Sequence, residues 1–360
     1  MNLKLFKKKQ ISVKNQKKRE NSVFFIWVFL LTLFAYPIIK TLIDLNILLS
    51  TGRLIGTDDW LNLTISHQEK IAANVLSDQR KILIVSGSNA LFGLSAKQIS
   101  QTTGIKAINL ASHAGLGGEY ILSRSQKLIN QGDIVLLPLE YPFYSSPGIS
   151  YDFNEYMVLS KFIISYDPKS LSKISPISFL TFVLENACSW PNYSEYQNFF
   201  RGDLSRKVID KRLQQQRILF GCYSGLTLNE YGDETCNIGK DDAPTLPTIS
   251  VTALPHSLGK IDPGGYLKTF IEVAREKGAI LIPLYPVSTR TDDYQNPSFQ
   301  ASAQTIKTFW EEQNIPFLDS LENSLLAPEL MYDTNYHPKD NGRKKRTQII
   351  IDLINQQLNY

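Results

Sequence analysis

Two segments far apart in the chain hold the residue types that nucleophilic catalysis needs. Ser88 stands in Ser86-Gly87-Ser88-Asn89, directly after the apolar run Lys81–Val85. A hydroxyl where a buried strand turns into a helix projects from the sheet edge, and the backbone N–H beside it points toward whatever the oxygen attacks. Asp333 and His337 share one loop, Tyr332-Asp-Thr-Asn-Tyr-His-Pro338, just ahead of the last helical stretch. A carboxylate on one ring nitrogen fixes the tautomer and leaves the other nitrogen free to take a proton from a serine. Each segment also has an ordinary reading: Ser-Gly-Ser makes turns and N-caps, and a histidine beside an aspartate is common on surfaces. His113 competes as a base, against the plainer reading of a loop imidazole bonded to backbone.

The elements that must position these groups follow from hydrophobic periodicity. Short apolar runs at Lys81–Val85, Ala107–Leu110, Ile134–Leu139, Ala279–Leu284 and Ile315–Leu318 read as strands. Helical patterns fall at Ala90–Gln101, Glu119–Gln131, Tyr266–Lys277, Phe299–Gln313 and Gly342–Leu358, and a polar helical stretch surrounds His67 to Ser77. Gly104, Gly132 and Gly278 stand where three of these patterns end. Strands apolar on both faces and alternating with helices predict an α/β fold, a mostly parallel sheet covered on both sides. Sites in such sheets form at the carboxyl ends of the strands, which is where Ser88 lies. Residues 146–260, rich in Tyr, Ser, Pro and Asn, break the alternation and read as an insertion over or beside the sheet.

The N-terminus is of another kind. Of 38 basic and 34 acidic residues, eight basic and one acidic lie within the first twenty, so the rest of the chain holds 30 against 33, a net charge of −3. A body without excess positive charge lacks the usual nucleic-acid footprint. Residues 1–22 form a basic tail, and Val23–Ile39, bounded by Lys40, is uncharged. Seventeen residues at about 1.5 Å each span about 26 Å, near the lower limit for a membrane crossing. The flanking lysines predict a signal anchor at 23–40 with the N-terminus cytoplasmic and the body periplasmic or extracellular. A cleaved signal is the alternative, but no small-x-small site follows Phe34. Residues 41–79 then read as a juxtamembrane connection and helix, and 80–358 as the domain proper. Of Cys188, Cys222 and Cys236, the last two are the easiest to join, and the four histidines lack metal-ligand spacing. No cofactor is expected.

Ser86-Gly-Ser-Asn89 after a strand, Asn109 to Gly118 after the next, and Asp333 with His337 before a C-terminal helix resemble the SGNH (GDSL-type) hydrolase superfamily. The tail Asp333–Thr347 is similar to the last block of its membrane-anchored members related to the teichoic-acid D-alanylation and alginate acetylation proteins. The resemblance spans roughly residues 80–140 and 262–358. It implies a three-layer α/β/α sandwich with a five-stranded, mostly parallel sheet, Ser88 as nucleophile, His337 as base and Asp333 as its orienting acid. It also implies an oxyanion hole from the N–H of Ser88 and of Gly115, with Ala114 as runner-up, and substrate contacts near Asn89, Glu140 and Tyr141. Three positions depart from the family pattern. Gly87 replaces the usual acid of the first block, three residues rather than two separate Asp333 from His337, and Glu140-Tyr141 stands where the third block supplies an asparagine.

These readings lead to an anchored esterase or O-acyltransferase acting on envelope or exported polysaccharide, with a membrane-bound acyltransferase as a possible partner. The competing expectation is a catalytically silent SGNH-like module that binds polysaccharide or an assembly partner, and a third is an anchored scaffold. The insertion aromatics Tyr151, Phe153, Tyr156, Tyr166, Trp190, Tyr193 and Tyr196 are candidates for stacking on sugars or for a small local core. Arg343, Lys344, Lys345 and Arg346 are candidates for meeting an anionic polymer or for a solvated helix face. Glu140 is a candidate to bind a substrate hydroxyl or to pair with Arg124.

Overall fold

The computed structural model describes residues 3–54, 57–76, 79–148, 157–189, 196–197, 200–201, 222–244 and 251–358, with side chains described from Ser22 onward. Four strands, β1 (Ile82–Ile84), β2 (Ala107–Asn109), β3 (Ile134–Leu137) and β4 (Ile280–Pro283), form an all-parallel sheet in the order β2-β1-β3-β4. Alternate side chains supply two cores: Leu83, Ile108, Val135 and Leu281 on one face, Ile82, Ile84, Ile134 and Ile282 on the other. Burial on both faces is why these runs are apolar throughout.

The chain begins with one long helix, α1 (Leu3–Thr51), followed by α2 (Asp59–Ala73). Its stretch Ser22–Thr51 is long and apolar enough to cross a membrane, with a mean hydropathy of 2.3 in its best window. Where one helix was expected over Ala90–Gln101 there are two, α3 (Ser88–Gly93) and α4 (Ala96–Thr103). Leu94 is extended between them, because Ser95 caps α4 through Gln98 N and Asp233 from the distant 222–244 segment accepts from Ala96 N and Lys97 N. Gly104 stops α4 with φ of 73°. Helix α5 (Gly118–Gln126) leads to β3, and α6 (Tyr141–Ser145) follows it. The 157–189 segment adds α7 (Met157–Tyr166) and α8 (Pro176–Cys188). Helices α9 (Tyr266–Glu276), α10 (Pro297–Glu312) and α11 (Asp340–Leu358) complete the layers.

The expected fifth strand at Ile315–Leu318 joins no ladder. Pro316 removes a donor there, and the segment packs without regular secondary structure, with Ile315 and Phe317 buried. A separate pair of two-residue strands, Ser288–Thr289 with Leu325–Leu326, lies outside the sheet. The basic opening of α11 divides by face. Arg346 is buried on Asp319 and the Tyr285 carbonyl and Arg343 on the Glu234 carbonyl, while Lys344 is exposed beside Asp340.

Candidate active site

The strand order reverses between β1 and β3, and the crevice at their carboxyl ends is where the β1–α3 turn sits. Ser88 opens α3 there and is half-buried. Glu140, arriving from the end of β3, shapes the turn: its Oε2 accepts from Gly87 N at 2.9 Å and its Oε1 from Asn89 N at 3.1 Å. The Ser88 N–H between them donates to no other described residue. Gly87 is required by this close approach, since a Cβ there would lie 2.4 Å from both Glu140 oxygens. Gly87 thus leaves room for a carboxylate coming from β3.

Asp333 and His337 are in direct contact, Oδ1 to Nδ1 at 2.8 Å. The three residues between them lie in a tight loop. Met331 and Pro338 form an antiparallel bridge, and Tyr332 N donates to the His337 carbonyl at 2.7 Å. Burial by itself would raise the Asp333 carboxyl, but the contacts from His337 and Tyr223 outweigh it and hold it below the ordinary 3.8. The His337 ring is buried and stacks on Phe92, centroids 4.2 Å apart at 17°. Phe92 is one helical turn after Ser88 on the same face of α3, so the imidazole lies on the serine's side of that helix. Ser88 Oγ forms no hydrogen bond among the described residues.

Residues that the sequence did not single out complete the arrangement. Tyr223 donates its hydroxyl to Asp333 Oδ2 at 2.8 Å and lies 3.1 Å from His337 Nδ1. Burial, then the charge of Asp333, pushes its phenol far up, so it stays a donor. Its backbone is left-handed at φ 57°, and it follows Cys222, which is joined to Cys236. Asn237, beside that disulfide, donates Nδ2 to the Phe92 carbonyl at 3.1 Å and the Pro338 carbonyl at 2.8 Å, tying α3 to the His337 loop. The one sequence signal for either residue was adjacency to a cysteine expected to pair.

Several expected roles are corrected by this geometry. The Gly115 N–H donates to His113 Nδ1 at 3.0 Å, so it is not available to an oxyanion, whereas the N–H of the runner-up Ala114 has no partner among the described residues. Asn89, Glu140 and Tyr141, expected at the substrate face, are 1%, 2% and 0% exposed. Asn89 Nδ2 points inward to Ser86 Oγ and the Pro138 carbonyl, and the Glu140 oxygens are taken by the turn. Asn89 and Glu140 support the turn from beneath, and Tyr141 is enclosed in the core. Arg124 is bonded to Glu69 and Gln68 instead of Glu140. His113 has the plain role of accepting from backbone, and burial holds its imidazole below 6.5, against the opposing pull of Asp58.

Of the insertion aromatics, Tyr151, Phe153, Tyr156, Trp190 and Tyr193 lie outside the described residues. Tyr166 bonds Asp59 and Tyr196 bonds Asp44, so both tie the body to the N-terminal helices. A polar cleft of about 310 Å³ between α2, α5 and α7 contains none of Ser88, Asp333 and His337. No protein-family model matches the chain, and no curated protein matches it by sequence.

Proposed function

We propose that the chain is an SGNH-type serine esterase or O-acyltransferase, anchored by α1 with its N-terminus in the cytoplasm, acting outside the membrane on an acylated polysaccharide. The observation that carries this reading is the Asp333–His337 contact, whose imidazole stacks on Phe92, one helical turn after the serine that opens α3. In the reaction Ser88 Oγ attacks the ester carbonyl while its proton passes to His337 Nε2, the nitrogen opposite the one held by Asp333. Charge on the carbonyl oxygen is met by the Ser88 N–H, with Ala114 N–H as second donor. His337 returns the proton to the departing sugar oxygen, leaving acyl-Ser88. Water or a second sugar hydroxyl, deprotonated by His337, then attacks the acyl carbonyl and frees the serine. The disulfide favours an oxidising compartment for the body, in keeping with this topology.

The competing reading, a silent module of the same fold that binds polysaccharide or a partner, draws on the unbonded Ser88 hydroxyl and on the missing third-block asparagine. Apo sites often tighten only with substrate, so the active reading is preferred. One experiment separates the two. A fluorophosphonate should label the full chain at one residue, Ser88→Ala should abolish labelling, and His337→Ala should lower aryl-acetate hydrolysis by about 10²–10⁴-fold. Labelling that persists in Ser88→Ala removes Ser88 as nucleophile, and a chain that never labels is the silent module.

A further inference from the structure

Between Val23 and Gly52 the chain has two charged residues, Lys40 and Asp44. Both are turned away from the surroundings. They pair at 2.7 Å and are sealed by α8 and its flank: Lys40 Nζ donates to the Asn186 carbonyl at 2.6 Å, Asn186 Nδ2 to Asp44 at 3.1 Å, and Tyr196 OH to Asp44. Tyr36 OH reaches the Ser189 carbonyl at 3.0 Å, so α8 runs antiparallel to the end of α1. Charges within a membrane segment are tolerated when they face a packed neighbour and pair there. Here the neighbour is α8.

What the two helices leave outside is apolar. On α1 the stripe continues past Lys40 through Leu42, Leu45 and Leu49, which are 60%, 47% and 78% exposed. On α8, Ile177, Leu180 and Leu184 recur at helical spacing and are 78%, 57% and 58% exposed. Beside them an apolar cleft of about 500 Å³ runs along Ala35, Ile39 and Ile43 to Tyr196, at the body-side end of the span. From Val23 to Leu49 the apolar length is about 40 Å at 1.5 Å per residue, about 10 Å more than a hydrocarbon core. The surplus turns fall in the interfacial layer, and α8 is packed against those same turns.

We propose that α8 is a membrane-embedded helix. It lies in the interfacial layer of the leaflet nearest the folded body, with Ile177, Leu180 and Leu184 against lipid acyl chains, as the second member of a pair with the end of α1. The occupant follows from continuity: the α8 stripe extends the lipid-facing surface of the spanning helix, and the pair hides the two charges of α1 within this stretch. The Lys169–Lys173 turn that precedes α8 then sits at headgroup level, where charge is tolerated, and Glu185, beside Asn186, is level with the Lys40–Asp44 pair at the edge of the hydrocarbon core. The body is held against the bilayer and not hung from a free stalk. This rests on α1 crossing the membrane and holds for either orientation.

The test is spin-label accessibility on the full chain in nanodiscs of phosphatidylethanolamine and phosphatidylglycerol. Ile177→Cys, Leu180→Cys and Leu184→Cys are made in a Cys188→Ser background, with Phe29→Cys to report the span and Glu276→Cys the aqueous body. The three α8 labels should collide several-fold more with oxygen than with a water-soluble nickel chelate, as Phe29→Cys does, with Glu276→Cys reversed. Cys188, exposed and free in the native chain, gives the same reading with no substitution. Nickel-accessible α8 labels alongside an oxygen-rich Phe29 label would overturn the proposal and point to a protein cover that pure lipid lacks. An aqueous Phe29 label would overturn the spanning reading first, and this one with it.

Discussion

Asp333 serves two donors at once, His337 Nδ1 on one oxygen and Tyr223 OH on the other. A carboxylate fixed in that way cannot swing from the imidazole, and its charge is stabilised whenever the ring carries a proton. Removing the phenol hydroxyl deletes one hydrogen bond to a charged group, worth about 1.5–3 kcal/mol. Under the proposed reaction, Tyr223→Phe should reduce kcat by about 10–100-fold with KM nearly unchanged. A rise in KM alone would remove Tyr223 as a positioning residue. The same carboxylate makes stability depend on acidity. Its folded value lies below the ordinary 3.8, so its contribution is present above 3.8 and is lost as pH falls through the lower folded value. Asp333→Asn should flatten that acid limb of the urea-unfolding profile, and an identical limb in the variant would refute the assignment.

At the level of elements, the β1–α3 turn is built from the ends of two strands, β1 and β3: Gly87 makes space, Glu140 from β3 fills it, and Asn89 ties the turn to the Pro138 carbonyl. Gly87→Ala should therefore push Glu140 off the turn. Leaving those buried N–H groups unpaired costs about 1–3 kcal/mol each. We expect a fall in denaturation midpoint together with weaker fluorophosphonate labelling of Ser88. A variant that melts and labels like the parent would show that the carboxylate can shift without cost. Asn237→Ala should act on the other clamp. It frees the Phe92 and Pro338 carbonyls, so the labelling rate should drop more than the midpoint does.

For the molecule as a whole, the Cys222–Cys236 bond fixes the segment that carries Tyr223, Asp233 and Asn237 against β2, α4 and the His337 loop. Closing a loop of this size contributes about 3 kcal/mol by chain entropy. For a body of this length that is about 5 °C of melting temperature. Cys222→Ser with Cys236→Ser should lose about that much, and should slow Ser88 labelling more than disruption at an unrelated surface would. Unchanged labelling would separate the clamp from the site.

The alternation of doubly buried strands with helices, the long apolar N-terminal helix, the glycine stops at Gly104 and Gly278, and the pairing of Cys222 with Cys236 were legible from residue types alone, because each is a local pattern with a local cause. The contact of Asp333 with His337 was also within reach, since the two are four residues apart. Burial, capping across the fold and exact register were not, because each depends on what arrives from a distant part of the chain. The helix break at Leu94–Ser95 is set by Asp233, the inward turn of Glu140 by a space at Gly87, and the use of the Gly115 N–H by His113. Composition and spacing thus determined which groups the chain owns and the alternation of most of its helices and strands; only packing decided which hydroxyls and N–H groups remain free, since a buried polar group takes whichever partner the tertiary fold brings within bonding distance.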